Sequence, residues 1–248
     1  MLRFEGAILF LSGLIVAGCS LDRSSAGGAA GGAASASLRE QNVRPGFNDN
    51  FRKIRTLDDV KPWVERFEVE GRDIFDRRHD IVAALHLEPG MRVADVGAGT
   101  GLFVPLLARE VTETGAVYAV EIVPAFLERI ERMSEERGLT QVRTILCDDQ
   151  SAKLPGKSVD VVFVCDTYHH FEYPRSSLLS IRRSLRPGGE LVIVDFERIV
   201  GASRPWVLEH VRAGKEVFIR EIEDSGFKLV EDRPVSRENY LLRFERNQ

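Results

Sequence analysis

The segment Asp95-Val-Gly97-Ala-Gly99-Thr-Gly101 sets a carboxylate two residues ahead of three glycines at alternate positions. Glycines so placed let a backbone turn sharply and bring its amides close to a ligand. The spacing also excludes two common ligand classes. A dinucleotide fingerprint, G-x-G-x-x-G, would need its third glycine at Leu102 or Val104, and no Gly-Lys-Ser/Thr follows to make a P-loop. Further along, Glu121 and the pair Asp148-Asp149 offer carboxylates suited to accepting hydroxyl or amino hydrogens. Another constellation is Cys165-Asp-Thr-Tyr168-His169-His170-Phe-Glu172. Either histidine could serve as a general base, or the group could simply shape a pocket. Tyr168 is a candidate for facing the substrate. Neighbouring residues on a turn seldom point at one ion, and there is no His-x-x-x-His pair, so no metal site is expected.

The surrounding pattern alternates helix and strand. Thr56 with Asp59 marks a helix start, and the spacing of Ile74, Phe75, Ile81, Val82 and Leu85 predicts a helix over 72–86. Strands are predicted at 91–96, 116–120 (with Glu121 at its end), 142–146, 159–164 and 190–194. Helices fall between them at 102–111, 124–137 and 174–185. Arg186-Pro-Gly-Gly189 reads as a turn. A last helix covers roughly 206–224, with Gly214 a point where it could break, and 227–233 and 240–244 pair as a terminal hairpin. Repeated βαβ units imply a doubly wound α/β fold with a mostly parallel sheet. Loops at the carboxyl ends of such strands hold ligands at the switch point of the sheet, where the glycine loop falls.

Taken together, these features resemble the class I methyltransferases that use S-adenosylmethionine (SAM), over about Phe67 to Phe244. The resemblance implies a seven-stranded sheet of order 3-2-1-4-5-7-6. It implies that Asp95, Gly97, Gly99 and Gly101 run along the methionine part of SAM and that Glu121 holds both ribose hydroxyls. Asp148 or Asp149 would read the adenine amino group. It places 165–172 beside the transferred methyl, hence the catalytic candidates His169, His170 and Tyr168. Arg72 could reach the cofactor's carboxylate or lie on the surface; the surface reading is favoured.

Composition bounds the partners. A net charge of −4 with Lys and Arg scattered gives no attraction to a phosphate backbone, so no nucleic acid is expected. Residues 1–18 have a short apolar run ending in Val16-Ala-Gly-Cys19. That run is shorter than the roughly 20 residues of a spanning helix and fits a signal peptide; its end resembles a bacterial lipobox. The expectation is a lipidated Cys19 anchoring the chain to the cell envelope, a Gly/Ala/Ser-rich tether over 19–47, and a SAM-binding domain over 48–248. Cys147 and Cys165 should be free thiols, because three strand spacings of about 4.8 Å separate them, beyond disulfide reach. The expected function is methyl transfer to a small-molecule or lipid-like substrate. The alternative is a lipoprotein that keeps the SAM-type fold without turnover.

Overall fold

The computed structural model describes residues 42–247; the signal peptide, Cys19 and all of the tether up to residue 41 lie outside them. Seven strands form one sheet in the order β3-β2-β1-β4-β5-β7-β6. They are β1 (Arg92–Val96), β2 (Ala116–Glu121), β3 (Val142–Leu146), β4 (Val159–Cys165), β5 (Leu185–Phe196), β6 (Phe227–Pro234) and β7 (Asn239–Arg246). The first five run parallel, while β7 pairs antiparallel with both β5 and β6. The fold class and strand order are those expected from the sequence.

Helices cover both faces: α1 (Leu57–Phe67), α2 (Asp73–Asp76), α3 (Arg78–Ala83), α4 (Val104–Val111), α5 (Pro124–Glu136), α6 (Pro174–Ser184), α7 (Pro205–His210) and α8 (Lys215–Asp224). Alternate residues of each central strand serve opposite faces. Val93, Val161, Phe163 and Val192 pack with Val104, Leu107 and Ile130 in one buried cluster. Ala94, Val162, Val164, Leu191 and Ile193 pack with Leu178, Ile181, Phe218 and Ile222 in another. A sheet covered on both sides needs such nearly continuous apolar strands.

Three departures from the expected elements have local causes. The helix foreseen over 72–86 breaks at Arg77, whose φ of −98° and ψ of 10° leave helical values. The Arg186–Gly189 turn becomes part of β5. Five residue steps there, from Leu185 to Glu190, span the two steps from Val159 to Val161 on β4, so the extra chain bulges out. Gly214 does break the last helix, serving as the N-cap of α8 and leaving α7 as a separate short piece. The foreseen cap at α1 is present as a full capping box between Thr56 and Asp59. Cys147 and Cys165 are both free.

The last residues of the tether make ordered contacts. Residues 44–47, read as linker, are held to the folded body through Glu172, a buried residue just after β4. Its carboxylate accepts the amides of Gly46 (2.8 Å) and Asn48 (3.0 Å) and pairs with Arg52 at 3.1 Å, while its carbonyl accepts Arg44 N at 2.9 Å. Composition gave no sign of this, because the partner lies more than 120 residues away. Replacing Glu172 with alanine leaves those amides without their acceptor and costs about 1–3 kcal/mol. The expected result is a lower unfolding temperature together with new protease cleavage between residues 42 and 53; an unchanged cleavage pattern would contradict the anchoring role.

Candidate functional site

The carboxyl ends of β1, β2, β4 and β5 open into a cavity of about 1190 Å³. Gly97, Gly99, Glu121, Asp148 and Asp149 line one part of it; His169, His170 and His210 line another. The structure therefore brings most of the sequence-selected residues to one place.

At the first part, Glu121 ends β2 and is 6% exposed. One carboxylate oxygen accepts Gly99 N at 2.9 Å, and the other accepts Ile122 N at 2.7 Å and Val123 N at 3.0 Å. A carboxylate offers about four lone-pair directions, so one remains for a ligand hydroxyl. Holding two hydroxyls requires the Gly99 amide to release its bond. Burial pushes the Glu121 carboxyl up, and the amide donors of Gly99, Val123 and Ile122 offset only part of that.

The three glycines do different jobs. A Cβ on Gly97 would lie 2.2 Å from Thr167, so this residue lets the β1 and β4 loops meet. Beyond its chain neighbours, Gly99 has only the Gly97 carbonyl within 4 Å of that position, leaving its face open to a ligand. Gly101, at φ +86°, lies against Ile130 of α5 and does not line the cavity. Its lack of a side chain serves helix packing.

Asp95 is also not on the cavity wall. It is 2% exposed, and its Oδ2 is buried without a hydrogen-bond partner. Burial, with Glu121 adding to it, pushes its carboxyl up to about 7. Asp148 is paired with Lys153 at 2.6 Å and Asp149 with Arg52 at 3.5 Å. The Lys153 pairing holds Asp148 below the usual carboxylate range. An open glycine face and a spare lone pair on Glu121 suit a polar ligand with hydroxyls, which SAM is.

At the second part, β4 ends at Cys165 and a single 3-10 turn, Tyr168–His170, follows. Tyr168 is fully buried and turned away from the cavity. Its hydroxyl donates to Glu221 at 2.9 Å, and its ring packs on Phe218. The 3-10 turn thus points Tyr168, a catalytic candidate from the sequence, into the core and not toward the cavity. His169 is 1% exposed, and its Nδ1 is 2.7 Å from Asp195 Oδ1. Burial disfavours its charged form, yet Asp195 more than compensates and its pKa lies above the ordinary histidine value. Burial, then His169 and His210, push His170 down to about 2. Burial, followed by His169, pushes His210 down to about 4.

Several residues here had not been singled out. Asp195 closes an apolar strand at the same edge as Asp95 and Glu121, a signal visible in sequence. His210 and Asn48 carry no local signal, since only the docking of α7 and of the 44–53 segment brings them in. Arg72 is a cavity residue rather than a surface one; it forms an ion pair with Asp166 and donates to Phe67 O at 2.9 Å.

Residues 94–193 match a family model described as a methyltransferase domain. A 120-residue stretch is 29% identical to a ubiquinone/menaquinone biosynthesis C-methyltransferase, UbiE, of Paraburkholderia phymatum, covering 48% of each chain. The chain thus spans about half the length of the curated relatives it matches. Among solved structures, a SAM-dependent methyltransferase from Aquifex aeolicus superposes with TM-score 0.67 at 23% identity, over 76% of this chain and 97% of that one. A Burkholderia thailandensis 1,6-didemethyltoxoflavin-N1-methyltransferase, solved with S-adenosylhomocysteine, gives 0.59 at 18% identity over 82% and 87%. The fold is that of the SAM-dependent methyltransferases.

The buried Asp95 makes a stability prediction. Its folded pKa of about 7 exceeds the ordinary aspartate value of 3.8. Its contribution is therefore full below about pH 4 and is lost as pH rises to about 7, at about 1.4 kcal/mol per pH unit. Unfolding temperatures measured from pH 4 to 7 should fall less steeply in Asp95→Asn than in the native protein. Parallel curves would overturn the assignment.

Proposed function

We propose that this chain is a SAM-dependent methyltransferase acting on a small-molecule or lipid-like acceptor. The observation that carries the reading is one cavity with two unlike parts: a glycine loop with Glu121, and a histidine cluster. Its volume of about 1190 Å³ exceeds that of most single-ligand pockets, which suits a cofactor and an acceptor together. The methyltransferase domain match and the C- and N-methyltransferases among the similar proteins support the same reading.

In this reading Glu121 and Gly99 hold the ribose, and Asp148 or Asp149 faces the base. Of that pair, Asp149 is less exposed than the lysine-paired Asp148. Bound there, SAM supplies a methyl group already activated on a sulfonium. The protein's part is then mainly alignment of the acceptor. Phe47, Phe196 and Trp206 line the histidine part and give an apolar acceptor a surface to lie on. His169 sits there with Nδ1 committed to Asp195, which leaves Nε2 as its free nitrogen.

Calorimetric titration with SAM and with NADH tests the cofactor. SAM is expected to bind and NADH not to. Glu121→Ala should weaken SAM binding by about 10- to 100-fold, the loss of one or two hydrogen bonds to a charged group. No SAM binding at millimolar ligand would sink the proposal, whereas binding without turnover on thiol, amine, phenol and quinone acceptors would favour a non-catalytic SAM-binding lipoprotein.

We also propose that the chain is anchored in the bacterial cell envelope through a lipidated Cys19, as the Val16–Cys19 sequence suggests. Mass spectrometry of the mature N-terminus should find a diacylglyceryl-modified Cys19. An intact, unmodified Met1 would remove the proposal. No helix among the described residues is long and apolar enough to cross a membrane.

A further inference from the structure

Three of the chain's five histidines, His169, His170 and His210, meet in the cavity. One ring nitrogen of each lies within 4.8 Å of the other two, and His170 Nε2 is 3.1 Å from His210 Nε2. Around a tetrahedral ion with metal–nitrogen bonds of about 2.0–2.1 Å, donor atoms stand about 3.3 Å apart. The His170–His210 pair already has nearly that separation.

The hydrogen bonds behind these rings fix their tautomers. Asn48 Nδ2 donates to the His170 carbonyl at 3.0 Å, which settles the orientation of that amide. Its Oδ1 therefore faces His170 Nδ1, at 3.1 Å, as an acceptor. His170 must carry its hydrogen on Nδ1, so in the neutral ring Nε2 presents a lone pair. His169 is held in the same way, with Nδ1 donating to Asp195 Oδ1 at 2.7 Å. Asp195 is itself fixed by the amides of His169 (3.1 Å) and Phe196 (2.8 Å). A ligating histidine whose other ring nitrogen donates to a carboxylate or carbonyl is the usual outer arrangement of a metal site. The neutral His170 ring thus aims its Nε2 lone pair at His210 Nε2, 3.1 Å away, and a bound cation would displace the proton that Asp195 favours on His169.

We propose that His169, His170 and His210 bind a divalent first-row transition-metal ion of the zinc type, with Asp195 and Asn48 as positioning residues. Three neutral nitrogens suit zinc and leave a fourth position for water or a ligand in the cavity. The neighbouring acids are already committed. Asp166, which also lies near His169, is paired with Arg72. The aromatic rings of Phe47, against His170 and His210, and of Phe196, against His169, add an apolar surround. The adjacency of His169 and His170 and the lack of a His-x-x-x-His pair give the sequence no metal signature. The third ligand comes from α7, which only the break at Gly214 allows to dock separately.

The test is calorimetric titration of Zn2+ into the chelator-treated full chain, purified without a polyhistidine tag, with Co2+ absorption reporting coordination. One equivalent of Zn2+ should bind, and Co2+ should give the visible bands of a low-coordinate nitrogen site. His170→Ala and His210→Gln should each abolish the bands and weaken binding at least tenfold. Asp195→Asn should weaken it about 10- to 100-fold, and the exposed His79→Ala should change nothing. Circular dichroism checks that each variant is folded; if His170→Ala does not fold, His210→Gln alone decides. Absence of saturable binding, or binding that survives in folded His210→Gln, would overturn the proposal. SAM titration in parallel separates the two readings. Zinc without SAM leaves the metal site standing and sinks the methyltransferase, and SAM without zinc does the reverse.

Discussion

A carboxylate taken out of water must collect hydrogen-bond donors or give up its charge. Four acids at the carboxyl edge of this sheet show both outcomes. Glu121 collects the amides of Gly99, Ile122 and Val123; Asp195 collects those of His169 and Phe196 together with the His169 ring. Glu172 collects Gly46, Asn48 and Arg52. Each acid thereby pins a loop that has no repetitive structure of its own. Asp95 finds no donor for one oxygen, and burial pushes it toward the neutral form.

Parallel strands aim their carboxyl ends the same way, so loops from β1, β2, β4 and β5 share one edge and one cavity. The switch in winding between β1 and β4 divides that edge. One half offers acids and open backbone, fit for a polar cofactor; the other offers imidazoles and aromatic rings. The contact of Gly97 with Thr167 joins the halves, and any side chain at Gly97 would force them apart. The 44–53 segment borders the histidine half, held by Glu172 and contributing Asn48 and Phe47.

Glycine and aromatic residues illustrate the limits of a motif. Within G-x-G-x-G the three positions look alike, yet Gly97 permits a loop contact, Gly99 faces the cavity and Gly101 accommodates α5. Likewise Tyr168 and His169 are neighbours of similar chemistry, but the 3-10 turn sends the first into the core and the second to the cavity. A residue's type suggested chemistry in both cases. Its direction was set by turns whose sequence carries no period to read.

Sheet class and the placing of the glycine loop were legible in the chain because they follow from local regularities: apolar runs of strand length, helical spacing between them, and glycines at a βα turn; strand order and the place of Glu121 came with the resemblance that those motifs carry. Break points were partly legible, as at Gly214, because glycine marks them. The pairing of Asp195 with His169, of Glu172 with residues 46–52, and of His210 with His170 joins positions 26 to 126 residues apart. Such contacts form only after the sheet has closed and α7 has docked. Local propensity holds no record of them, because the donors and acceptors concerned would be satisfied equally well by water until folding removes it.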